Sequence, residues 1–164
     1  MRPNLHRVDL DGPGELAMMA HPRGLDWLGD EMAALAREGV DIVVCALTEA
    51  ERDELGLADE EREAGGAGLR FVGLPVADRG VWEVRAVLPR LRELARALHG
   101  GASIVTHCRY GIGRASVLAG ALLVLNGADP EEVWPRLERA RGLAVPDTAE
   151  QRRWIAELAA HTHG

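Results

Sequence analysis

Between residues 103 and 125 the chain runs from a short β-branched segment, Ser103-Ile104-Val105-Thr106-His107, through a loop punctuated by Gly111 and Gly113, into a hydrophobic helix expected over 115–125. A buried strand that feeds a helix through such a loop makes an anion site. Unpaired backbone N–H groups converge there, and the helix dipole adds partial positive charge. The two glycines let the backbone curl with φ > 0 and approach a ligand closely. Gly111-Ile112-Gly113 lacks the third glycine of a dinucleotide-binding loop, so that alternative fails.

The remainder of the chain alternates short apolar runs with longer amphipathic ones, which is the pattern of an α/β fold. Strands are expected over 15–20, 41–47, 69–74 and 103–107, and helices over 25–38, 81–98, 115–125 and 148–161. Gly39 suits the position just past the end of the first helix. Thr48-Glu49-Ala50-Glu51 is a capping box that opens a short helix. Asp129-Pro130 is expected to open another helix, with an N-cap and a proline at its first position. The charged, glycine-rich stretch 59–68 reads as a short helix fading into a loop. At 164 residues, with no repeat or linker, the chain is expected to form a single domain over 1–164.

Composition narrows the function. A net charge of −7 argues against nucleic acid as a partner, because phosphate backbones select basic faces. No run of eighteen apolar residues argues for a membrane span, and the N-terminus lacks the apolar stretch of a secretory signal. The two cysteines, Cys45 and Cys108, are too few for a disulfide framework, and neither belongs to a CxxC pair. That fits a reducing, cytoplasmic location with no metal centre. All 19 basic residues are arginine, so any phosphate clamp must be a planar guanidinium fork.

Cys108 opens the anion loop. Arg114, six residues later, can bring its guanidinium back over the same anion. The loop amides, the helix start and Arg114 also favour a thiolate at Cys108, ready for covalent attack. Whatever attracts phosphate thus ionises the nucleophile. Alone, Cys108 would read as a buried strand-end cysteine; between His107 and Gly-x-Gly-Arg it reads as a nucleophile.

His-Cys-x5-Arg over His107–Arg114 resembles the phosphate-binding loop of the protein tyrosine phosphatase superfamily, and the short chain resembles its dual-specificity or atypical bacterial branch. The resemblance implies a central, mostly parallel sheet of four to five strands flanked by helices. It implies Cys108 as the nucleophile that becomes phosphocysteine and Arg114 as the residue that binds the phosphate. Main-chain amides of Arg109, Tyr110, Gly111, Ile112, Gly113 and Arg114 would line the cradle, with His107 orienting the loop and supporting the thiolate. It implies metal-independent phosphomonoester hydrolysis with no cofactor. Arg109 and Tyr110 do not resemble the Lys-rich loops of lipid phosphatases, so the expected partner is a phosphorylated protein, with a lean to phosphotyrosine.

The leaving oxygen needs a proton from a carboxylic acid on a separate loop. The family carries an Asp about thirty residues before its Cys, and here Asp78 lies thirty before Cys108, after Leu74-Pro75. Glu83, expected in the first turn of the next helix, is the second candidate. The family usually has Ser or Thr after the motif Arg, where this chain has Ala115 and then Ser116. Either Ser116 supplies the missing hydroxyl or breakdown of phosphocysteine goes unaided. A damaged second step also admits another function, a weakly active phosphate- or phosphoprotein-binding module. A sulfur- or arsenate-handling enzyme is disfavoured by Asp78 and by the lack of a resolving cysteine. Gln151 reads either as the partner of Thr148 in a capping box, the favoured reading, or as a residue that positions water. Cys45 reads as core, and Trp27, Trp82, Trp134 and Trp154 read as packing residues.

Overall fold

The computed structural model of the chain describes residues 2–163. Five strands, β1 (His6–Val8), β2 (Glu15–Met19), β3 (Ile42–Cys45), β4 (Arg70–Gly73) and β5 (Ser103–His107), form one sheet in the order β1-β2-β5-β3-β4. β1 is antiparallel to β2; every other pairing is parallel. The expected mostly parallel α/β sheet is therefore present, with β1 as an edge strand that had no counterpart in the sequence reading. β3 and β5 are buried at every residue, as parallel strands covered on both faces should be. β5 lies between β2 and β3, with Met19 and Cys45 both level with His107. Its C-terminal end is thus the centre of the sheet's carboxyl edge, where α/β folds carry their ligands.

Among the described residues, seven helices flank the sheet: α1 (Leu28–Arg37), α2 (Glu49–Glu54), α3 (Glu60–Gly66), α4 (Val84–His99), α5 (Arg114–Leu125), α6 (Val133–Arg141) and α7 (Ala149–His163). Every residue of α5 from Arg114 to Val124 is buried. A helix with no polar face must be wrapped on all sides, and α5 packs on β2, β5, α4, α6 and α7. Gly120 lets two of these helices close in: an added Cβ would sit 3.3–3.4 Å from Leu137 and Ile155. α1 packs on α3, and α3 on β4.

Helix ends follow local chemistry in most places. Thr48 and Glu51 make the expected reciprocal cap on α2. Gly39, at φ +89, follows α1 as expected. The first three residues of the expected 25–38 helix form a separate 3-10 turn, Leu25–Trp27. α4 begins at Val84 rather than 81, because Glu83 is its N-cap and accepts a hydrogen bond from the Ala86 N–H. α6 begins at Val133, not at Pro130: Asp129 caps only the turn before it, accepting from the Glu131 N–H. Among the described residues, no helix is long and apolar enough to cross a membrane.

Candidate active site

The loop from Cys108 to Gly113 leaves the C-terminal end of β5 and enters α5 at Arg114. Its carbonyls are held from outside. Arg109 O accepts from the His21 N–H at 3.1 Å. Arg141, at the end of α6, donates from Nε to Gly111 O at 3.1 Å and from Nη2 to Tyr110 O at 3.2 Å. With three successive carbonyls turned outward, the amides are free to face inward. Among the described residues, none of the N–H groups of Arg109 through Gly113 donates to a backbone carbonyl. These are the groups an oxyanion would satisfy.

The two glycines do different jobs. Gly111 has φ +74, and an added Cβ would lie 2.7 Å from the Met19 backbone. Gly113 does not adopt the expected positive φ; it sits at −82. It is required for space: an added Cβ would come 2.2 Å from Asp147 Oδ2.

Arg114 folds back under the loop with its side chain 1% exposed. Nη1 donates to Glu51 Oε1 at 2.7 Å and to Val76 O at 2.9 Å, and Nη2 donates to Glu51 Oε2 at 2.9 Å. Nη2 also lies 3.4 Å from Asp78 Oδ1. The Nη1 edge is therefore committed to the protein, while Nε–H donates to none of these groups. The Arg114 hydrogen bonds are the main reason Glu51 is held down to about 2. Burial works against the Arg114 charge, yet Glu51, with Cys108 and Asp78 nearby, raises its pKa above the ordinary value.

Asp78 is brought to this centre by a pinned loop. Ala77 O accepts from the Gly80 N–H at 2.9 Å, with Arg79 at φ +65 between them. The base of the loop is closed by Trp82, whose Nε1–H donates to Leu74 O at 2.8 Å. Trp154 of α7 donates in turn to Trp82 O at 2.6 Å. Asp78 itself remains largely exposed. Glu83, the second candidate acid, is occupied as the α4 cap.

Beneath the loop, His107 is fully buried and held at both ring nitrogens: Nε2 lies 2.6 Å from Glu60 Oε2 and Nδ1 lies 3.2 Å from Cys108 O. Burial opposes a charge on this ring, but Glu60 and the Cys45 sulfur raise its pKa well above the ordinary value. Cys45, Glu60 and His107 are also the one trio of metal-ligating side chains that comes together among the described residues. Two nitrogen or oxygen ligands about 2.0–2.1 Å from one tetrahedral ion stand roughly 3.3 Å apart. The 2.6 Å contact between His107 and Glu60 is a hydrogen bond instead.

Ser116 Oγ donates to Gly113 O at 2.8 Å, and Thr106 Oγ1 donates to Ala115 O at 2.9 Å. Gln151 is fully buried and forms the cap with Thr148, accepting from the Asp147 and Thr148 N–H groups. Its Nε2 lies 3.5 Å from Gly80 O, between the Asp78 loop and the Cys108–Gly113 loop. Tyr110 is exposed at the rim, while Ile112 packs against the core. Sequence reasoning missed Glu51 and Arg141. Glu51 was visible only as a cap, and Arg141 is one arginine among many, with no local motif to mark it.

A family model described as "Polymorphic toxin system, DSP-PTPase phosphatase" matches residues 17–128. No curated protein matches by sequence. Among solved structures, a kinase-associated phosphatase with its catalytic cysteine replaced by serine is 20% identical, with a TM-score of 0.83 over 98% of each chain. Tk-PTP in its active form is 25% identical, with a TM-score of 0.76 over 94% of this chain and 97% of its own. TpbA of P. aeruginosa is 20% identical, with a TM-score of 0.63 over 96% of each chain.

Proposed function

Because the chain belongs to the DSP-PTPase phosphatase family of polymorphic toxin systems, we propose that it hydrolyses phosphomonoesters on proteins, phosphotyrosine foremost, through a phosphocysteine intermediate and without a metal ion. The whole chain works as one catalytic domain. The observation that carries the reading is the meeting of Arg114 and Asp78, 3.4 Å apart, at the loop that Cys108 begins.

The steps follow from the groups present. The Cys108 thiolate attacks phosphorus, and the bond from phosphorus to the ester oxygen breaks. The free amides of Arg109 through Gly113 and the Nε side of Arg114 hold the equatorial oxygens as charge shifts onto them. Asp78 gives its proton to the departing oxygen. Water then attacks the phosphocysteine, Asp78 takes a proton from it, and inorganic phosphate leaves as the thiolate is restored. Asp78 stands close enough to Arg114 that arriving phosphate would take over the Nη2 contact and leave the carboxyl beside the ester oxygen.

The test is hydrolysis of an aryl phosphate with EDTA present. Full activity in EDTA is expected. Loss of turnover is expected in Cys108→Ser, and a fall of about 100-fold or more in Asp78→Asn. Activity that survives Cys108→Ser overturns the proposal.

A further inference from the structure

Glu60 lies in a stretch whose composition suggests a solvated helix, yet it is fully buried. Oε2 meets His107 Nε2, while Oε1 is buried with no hydrogen-bond partner. A carboxylate held in that state is costly unless it faces a cation. The ring it faces is bonded on its other side to the carbonyl of Cys108. The line Glu60–His107–Cys108 therefore runs from α3, through the end of β5, into the first peptide of the phosphate loop.

We propose that Glu60 is a positioning residue for the phosphate loop. It keeps His107 protonated on both nitrogens, so that Nδ1–H always holds the Cys108 carbonyl and the following amides stay turned toward the anion. The proposal rests on the phosphatase reading above and adds the residue that sets the state of His107. Besides Glu60, the titratable group that meets the ring among the described residues is Cys45 from β3; β2 sets Met19 level with His107. A neutral ring carries a single proton, shared between two sites. Without the Glu60 charge, burial discharges His107, and the loop carbonyl is held only part of the time.

The test has two arms, and neither needs catalysis. In the intact wild-type protein, 15N NMR of His107 at pH 8 should show both ring nitrogens protonated, and a neutral ring there overturns the proposal. Glu60→Gln keeps the shape and removes the charge. Its His107 should be neutral at pH 8, and its affinity for inorganic phosphate at that pH should fall about tenfold. Equal phosphate affinity in the two proteins at pH 8 overturns the proposal even if both fold identically. A wild type that binds no phosphate at pH 8 condemns instead the phosphatase reading, so the two failures are distinct.

Discussion

Glu51 accepts two hydrogen bonds from Arg114, at 2.7 and 2.9 Å, so the guanidinium plane is set before any anion arrives. The same glutamate caps α2 with Thr48. One side chain thus ties the start of a helix to the residue expected to bind phosphate. Bidentate pairing of this kind adds geometric definition as well as energy. Glu51→Gln should lower the affinity for inorganic phosphate about tenfold and cost about 2 kcal/mol of stability, read by isothermal titration and urea melts. An unchanged affinity would mean that Arg114 needs no such anchor.

The same pair predicts a dependence on pH. Glu51 is held at about 2 in the folded chain, against an ordinary value of 4.5. A depressed carboxyl stabilises the fold fully above its unfolded pKa, and that contribution is lost as pH falls through the folded value. The stability gap between wild type and Glu51→Gln should therefore be widest above about pH 5 and close toward pH 2. A gap that stays constant down to pH 2 counts against the pair.

Gly113→Ala should destabilise the chain by about 1–3 kcal/mol, through crowding and not through a forbidden φ. The added methyl meets Asp147 Oδ2, and the backbone at −82 tolerates alanine. A second change, Asp147→Ala, should therefore restore part of the loss in thermal melts. Gly111→Ala should gain nothing from it, because its methyl meets the Met19 backbone at a φ of +74.

What the sequence made legible was local or strongly patterned. β5, the glycine loop and α5 stood out because an apolar strand, a loop and an apolar helix follow one another without interruption. The Thr48 and Thr148 caps were readable because a capping box closes within four residues. β1 was not readable: three residues carry no periodicity, and its place depends on pairing with β2. Gly113 was recognised as necessary but for the wrong reason, since the crowding comes from a residue 34 positions away. Glu60 and Arg141 look like surface charges in sequence, and only the packing of α3 and α6 turns them toward the loop.

Trp82→Phe should impair the proposed proton donor, Asp78, more than the proposed nucleophile, Cys108. The substitution leaves an aromatic ring where Trp82 packs at 5.6 Å against Trp154 but removes the donor to Leu74 O, which closes the Asp78 loop. A buried carbonyl left unpaired costs about 1–3 kcal/mol. Esters with poor leaving groups, which would depend on the proposed acid Asp78, should slow by about tenfold, while activated aryl esters change little. Equal slowing of both would assign the clamp to general stability.

Ala115→Ser tests the second half of the proposed reaction. The phosphatase superfamily that this loop resembles usually has Ser or Thr directly after the motif arginine, where its hydroxyl eases departure of the thiolate from phosphocysteine. Here Ala115 is fully buried, and the nearby hydroxyls are turned elsewhere: Ser116 to Gly113 O and Thr106 to Ala115 O. Ser116 is therefore not expected to stand in for the missing group, and hydrolysis of the proposed intermediate should be the slow step. In rapid mixing with an aryl phosphate, wild type should release a burst of phenol near one equivalent before a slower steady rate. Ala115→Ser should shrink the burst and raise the steady rate about tenfold, because one donor to a developing anion contributes on that order or more. If the variant keeps the full burst at the old steady rate, the thiolate leaves without help and Ala115 carries no penalty.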